Sequence, residues 1–87
     1  MDKYSYSKEL KNRLSRNLGH MAKLKQMVDD DEDFEKVIMQ MTAVRSAING
    51  TTDAFIMEKL TRELDKAIEA GDAEAVRAFY RENAKYF

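Results

Sequence analysis

The stretch from Phe34 to Ala70 constrains this chain more than any other part of it. It carries apolar residues at Val37, Met41, Val44, Ile48, Phe55, Leu60, Leu64 and Ala67, with one glycine and no proline. A recurrence of this kind is the signature of one face of an α-helix. At about 1.5 Å per residue the helix is roughly 55 Å long, beyond the diameter of a compact domain of 87 residues. One copy of the chain cannot cover so long an apolar face. The stripe is therefore expected to be buried against other copies or a partner, which makes oligomerisation part of the fold.

The rest of the sequence agrees with an all-α protein of one domain, residues 1–87. Proline is absent, glycine is scarce, and Ala, Glu, Lys, Leu, Met and Arg are abundant. With no cysteine there is no disulfide, no thiolate metal site and no cysteine nucleophile. The N-terminus, MDKYSYSKEL, has no apolar signal-peptide core, and no run approaches the ~20 apolar residues that span a bilayer. A cytoplasmic protein with no membrane partner is expected.

Punctuation divides the chain into three helices. The first, about 6–28, has Ser5 or Ser7 as its N-cap and repeats Leu10, Leu14, Leu18, Met21, Leu24 and Val28 at helical spacing. The acidic run from Asp29 to Asp33 ends it, and one of those aspartates caps the second helix, about 33–70. Gly71 suits the C′ position, and Asp72 suits the N-cap of a third helix, about 73–85, that buries Val76, Phe79 and Tyr80. Gly19 and Gly50 lie inside helices, where close helix approach explains them better than chain ending. There is no internal repeat and no low-complexity linker.

The net charge of −1 conceals a segregation along the chain. Up to Gln26, seven cations (Lys3, Lys8, Lys11, Arg13, Arg16, Lys23 and Lys25) face only Asp2 and Glu9, a net of +5. Five acids follow at once, from Asp29 to Asp33. A basic arm before an acidic turn suits a phosphate-binding face, and equally suits the solvated surface of exposed helices.

Two motifs sit in this framework. Arg13, Leu14, Arg16, Asn17, Gly19 and His20 follow a pattern of the type RLxRIxGQ, with histidine in place of the glutamine. Gln40, Ala43, Val44, Arg45, Ala47, Asn49 and Gly50 follow QxxAVRxAxNG in the middle of the long helix. With the acidic turn between them, these segments resemble the copper-sensing repressor family CsoR and its relatives, the nickel and cobalt sensor RcnR and the formaldehyde sensor FrmR.

The resemblance implies a three-helix subunit forming an antiparallel four-helix-bundle dimer that pairs into a dimer of dimers. It also implies repression by binding operator DNA through basic side chains of the first two helices. The matching positions are Arg13, Arg16 and Arg45, with Lys8 and Lys11 as phosphate contacts on the same segment. Arginine's planar fork engages phosphate oxygens in pairs and can read guanine at a base edge. Arg45 has a rival role, a salt bridge to a neighbouring chain's carboxylate.

The departures from the family pattern matter as much. Metal-sensing members place a cysteine at the start of the second helix, then a histidine and a cysteine or histidine four residues apart. Here those positions are Phe34, Lys59 and Glu63. Phenylalanine cannot coordinate and an ammonium repels a cation, so no metal or other cofactor is expected. The thiol required by the formaldehyde and persulfide sensors is missing as well. Lys59 and Glu63 share a helix face, either as an ordinary exposed pair or with the ammonium standing where relatives hold a metal, leaving a fixed state or a different, unidentified small effector. His20, the one histidine, lies in sequence near Met21 and Met27, but methionines at helical spacing are core filler before they are soft ligands. Tyr4 and Tyr6 flank the basic arm.

An enzyme is not expected. Small all-α dimers with long helices include chorismate mutases, but those usually place the long helix first, and neither their arginine and lysine spacing nor a serine, histidine and aspartate set is found here. The alternative to a repressor is a helical homo-oligomeric assembly protein that keeps the scaffold and does not bind DNA.

Overall fold

A computed structural model describes residues 4–87, so Lys3 of the basic arm lies outside the described residues. The chain is all-α: helix α1 spans Lys8–Asp29, α2 spans Phe34–Ala70 and α3 spans Ala73–Glu82, followed by a short 3-10 turn at Ala84–Tyr86. No strand occurs among the described residues. One compact unit extends to Thr52 and a second runs from Asp53 to Phe87, with α2 contributing to both.

Each helix begins where a side chain supplies an acceptor for its unpaired N–H groups. The Ser7 hydroxyl accepts from the Leu10 amide at 3.2 Å, Asp33 Oδ1 from the Lys36 amide at 2.8 Å, and Asp72 Oδ1 from the Ala75 amide at 2.7 Å. Gly71 ends α2 in the left-handed region, φ 77°, where a residue without Cβ rests most easily.

The turn after α1 has the same logic and a less suitable residue. The Glu32 amide reaches back to the Met27 carbonyl at 3.0 Å and the Asp31 amide to the Val28 carbonyl at 3.1 Å, the paired bonds of a Schellman motif. Its C′ position, left-handed at φ 54°, is filled by Asp31. Aspartate tolerates that conformation better than most side chains but less well than glycine.

In the first unit, Leu10 and Leu24 of α1 and Val44 of α2 are buried, and Asn17 Nδ2 donates to Thr51 Oγ1 at 2.7 Å. Thr51 is itself buried, and its hydroxyl donates onward to the Ala47 carbonyl at 3.1 Å. One polar link therefore joins α1 to α2 with its buried partner satisfied.

The expected cores are only partly covered within one chain. Leu14, Leu18, Met21 and Val28 of α1 are exposed, as are Phe34, Ile38, Met41 and Ile48 of α2. Both sets follow the alternating four- and three-residue steps of a coiled-coil seam. The seam on α1 is completed by Lys25 and that on α2 by Arg45, each in the fourth place. Met41 and Ile48, expected to be buried against other copies or a partner, are uncovered in one chain.

Two expectations are corrected. The third helix ends at Glu82 rather than near Lys85, because the chain tightens into the 3-10 turn after Asn83. Tyr80 is exposed while Phe79 is buried, the two side chains leaving the helix about 100° apart. Gly19 and Gly50 are helical, and a Cβ built at either meets nothing within 4 Å among the described residues.

The Asp31 turn yields a stability prediction. Asp31→Gly is expected to raise stability by about 0.5 kcal/mol, read as a higher denaturant midpoint at unchanged slope.

Candidate nucleic-acid interface and effector position

The basic residues of the two motif segments all belong to the first unit. Arg16 and Arg45 are exposed and make no ion pair or side-chain hydrogen bond among the described residues. Lys8 and Lys11 are likewise exposed and unpaired among those residues. Arg13 is half-buried, and its guanidinium reaches Glu9 one turn earlier at the long distance of 3.4 Å.

These cations do not form one face of the helix. Lys11 is five residues before Arg16, which turns it roughly 140° away on α1. Lys23, exposed and seven residues after Arg16, shares its side instead. Arg45 stands apart from the α1 set, within the uncovered seam of Phe34, Ile38, Met41 and Ile48.

The effector positions divide between the two units. Phe34 opens α2 in the first unit and is 85% exposed, with no atom able to ligate a metal. Lys59 and Glu63 lie in the second unit and form an ion pair of 2.5 Å. The amide of Asn83 joins them. Its Oδ1 accepts from Lys59 Nζ at 2.5 Å, and its Nδ2 donates to Glu63 Oε1 at 3.3 Å and to the Phe79 carbonyl at 3.0 Å.

Asn83 is fully buried, so this is more than a surface pair. No buried side-chain polar atom is left without a partner among the described residues. The ring of Tyr86 adds a cation–π contact, its centroid 5.5 Å from Lys59 Nζ. Sequence periodicity did not reveal Asn83, because a lone asparagine at the end of a helix carries no pattern. The available signal was a polar residue next to a predicted apolar face.

The charges respond as a coupled pair. The hydrogen bond from Lys59 holds the Glu63 carboxyl below the usual carboxylate range, opposed by partial burial and assisted by the Asn83 amide. The same hydrogen bond, with the charge of Glu63, holds the Lys59 ammonium above the usual lysine range, again against partial burial. These residues do not fit a metal ion: the nitrogen is protonated and its hydrogens are committed, and Phe34 offers no donor. Among the described residues no three of His, Cys, Asp and Glu come together as a ligand set, and His20 is exposed on α1.

A lowered carboxyl pKa stabilises the fold above its unfolded value and stops doing so as pH falls through the folded value. The stability difference between wild type and Glu63→Gln is therefore expected to be present at neutral pH and to be lost as pH falls below the usual carboxylate range, measured by denaturant unfolding at each pH.

No helix among the described residues is long and apolar enough to cross a membrane. The family model described as metal-sensitive transcriptional repressor matches residues 6–82. No curated protein and no solved structure matches the chain. The match runs through both basic motifs, the acidic turn and all three helices, and stops one residue before Asn83. The chain belongs to the metal-sensitive transcriptional repressor family.

Proposed function

We propose that this chain is a cytoplasmic DNA-binding repressor whose effector position no longer answers to a metal. The observation that carries the reading is the free state of Arg16 and Arg45 among the described residues, in a chain matched to a repressor family over residues 6–82. An exposed guanidinium without a protein partner meets a phosphate without first breaking an ion pair. Lys8 and Lys11 add phosphate contacts, and Arg13 has only a long tie to Glu9 to exchange. Operator DNA is the partner, and no residue is assigned a catalytic role.

Assembly completes the interface in this reading. The seams on α1 and α2 are apolar, regular and uncovered in one chain, and burial of such surface at ~25 cal/mol per Å² drives association. A homodimer, pairing further into a tetramer, brings cations from several subunits to one DNA duplex. That arrangement offsets the modest number of free cations on each chain.

A retardation assay on the DNA upstream of the chain's own gene tests the reading. Binding is expected to weaken steeply with salt, and Arg16→Ala is expected to reduce the salt slope by about one. An absence of salt-sensitive binding would overturn it. One observation favours the second reading, an assembly protein that does not bind DNA: Arg45 lies within an apolar seam, where a neighbouring chain would cover it. If so, Arg45→Ala changes sedimentation while no DNA is bound by either form.

Metal sensing is tested separately. Titration with copper(I), nickel and zinc is expected to show no tight stoichiometric binding, because Lys59 brings a positive charge to the position. A tight complex lost on substitution of Lys59 or Glu63 would defeat this part.

A further inference from the structure

Lys59 and Glu63 run along α2 in the order that a helix by itself favours less. At i, i+4, glutamate before lysine is the better arrangement. The pair immediately beside it follows that preference, with Glu58 before Arg62 at 2.7 Å. The same order occurs in the exposed pair Lys25 and Asp29 on α1, so order alone decides nothing; at 59 and 63 a third group makes the order matter.

The buried amide of Asn83 is that group. Its nitrogen faces the Phe79 carbonyl at 3.0 Å, where an oxygen would meet another oxygen. With the nitrogen so fixed, Oδ1 is turned toward position 59 and needs a donor. The nitrogen's remaining hydrogen is turned toward position 63 and needs an acceptor. Lysine at 59 and glutamate at 63 satisfy both, at 2.5 and 3.3 Å, and the opposite order satisfies neither.

We propose that Asn83 is a positioning residue that closes the C-terminal segment over Lys59 and Glu63 as an intramolecular latch, so that the chain's own tail fills the effector position. The naming of that position rests on the repressor reading; the latch rests on the contacts alone. Three further contacts hold the segment. Lys59 Nζ lies over the Tyr86 ring, and the Phe87 ring meets Tyr80 at 5.4 Å and Phe79 at 6.2 Å between centroids. The backbone closes behind them, with the Tyr86 amide donating to the Asn83 carbonyl at 2.9 Å and the Phe87 amide to the Ala84 carbonyl at 3.1 Å. A molecule that displaces the tail must present the same edge, an acceptor for the ammonium beside a donor for the carboxylate, as a primary carboxamide does.

The charge-reversed variant Lys59→Glu/Glu63→Lys separates the latch from an ordinary surface pair. Helix preference alone leaves this variant as stable as wild type or slightly more so. The latch predicts instead that the Tyr86 and Phe87 amides of the full-length chain exchange with solvent about tenfold faster or more. Unchanged or slower exchange would overturn the proposal. Asn83→Leu, close in volume and without the amide, is expected to accelerate the same two amides, and adding the reversal to it is expected to bring no further acceleration. Full additivity of the two changes would also overturn it. Should Asn83→Leu fail to fold, the reversal carries the test, since it alters only partly exposed side chains. A retardation assay on the same samples keeps the two readings distinct: loss of salt-sensitive DNA binding in wild type counts against the repressor, while the exchange result stands.

Discussion

Apolar surface that one chain cannot cover is the constraint from which the rest of this structure follows. Of the apolar residues along α2 with which the helix was first recognised, only Val44 and Ala67 are buried. The regular seams on α1 and α2 are exposed among the described residues. Helix propensity contributes little by itself, so most of the stability of a long helix comes from packing of its apolar face. In the first unit cations lie beside or within the apolar rows, and the second unit holds its own buried amide at Asn83.

Local features were legible in the sequence and long-range ones were not. Ser7, one of the aspartates before Phe34, Gly71 and Asp72 end or begin helices through bonds spanning three or four residues, and such bonds leave a mark in the neighbouring sequence. Periodicity identified the apolar faces of Leu14, Leu18, Met41 and Ile48 but not what covers them, since a repeat says which side is apolar and nothing about its neighbour. Tyr80 and the end of α3 were misplaced for a related reason: after Phe79 the chain is governed by Asn83, whose partners lie 20 and 24 residues earlier. The motif arginines were readable from resemblance, whereas the division of α1 into several cationic sides required the geometry of the helix.

At two of the expected effector positions, Lys59 and Glu63, the chain holds a cation of its own, bound by a carboxylate and an amide oxygen. The third expected position, Phe34, is an open aromatic residue in the first unit. Because Asn83 falls outside the residues matched to the family, its part in this cluster is not inherited from the matched motifs.

Reliance on a single side-chain amide has a chemical corollary. Asparagine is among the thermolabile residues, and hydrolysis of its amide leaves a carboxylate of nearly the same shape. At residue 83 that exchange would set an anion against both Glu63 and the Phe79 carbonyl, turning two attractions into repulsions. The same exchange would strengthen the contact with Lys59, and burial shields the amide for as long as the tail stays docked, so covalent ageing at residue 83 waits on opening of the C-terminal segment.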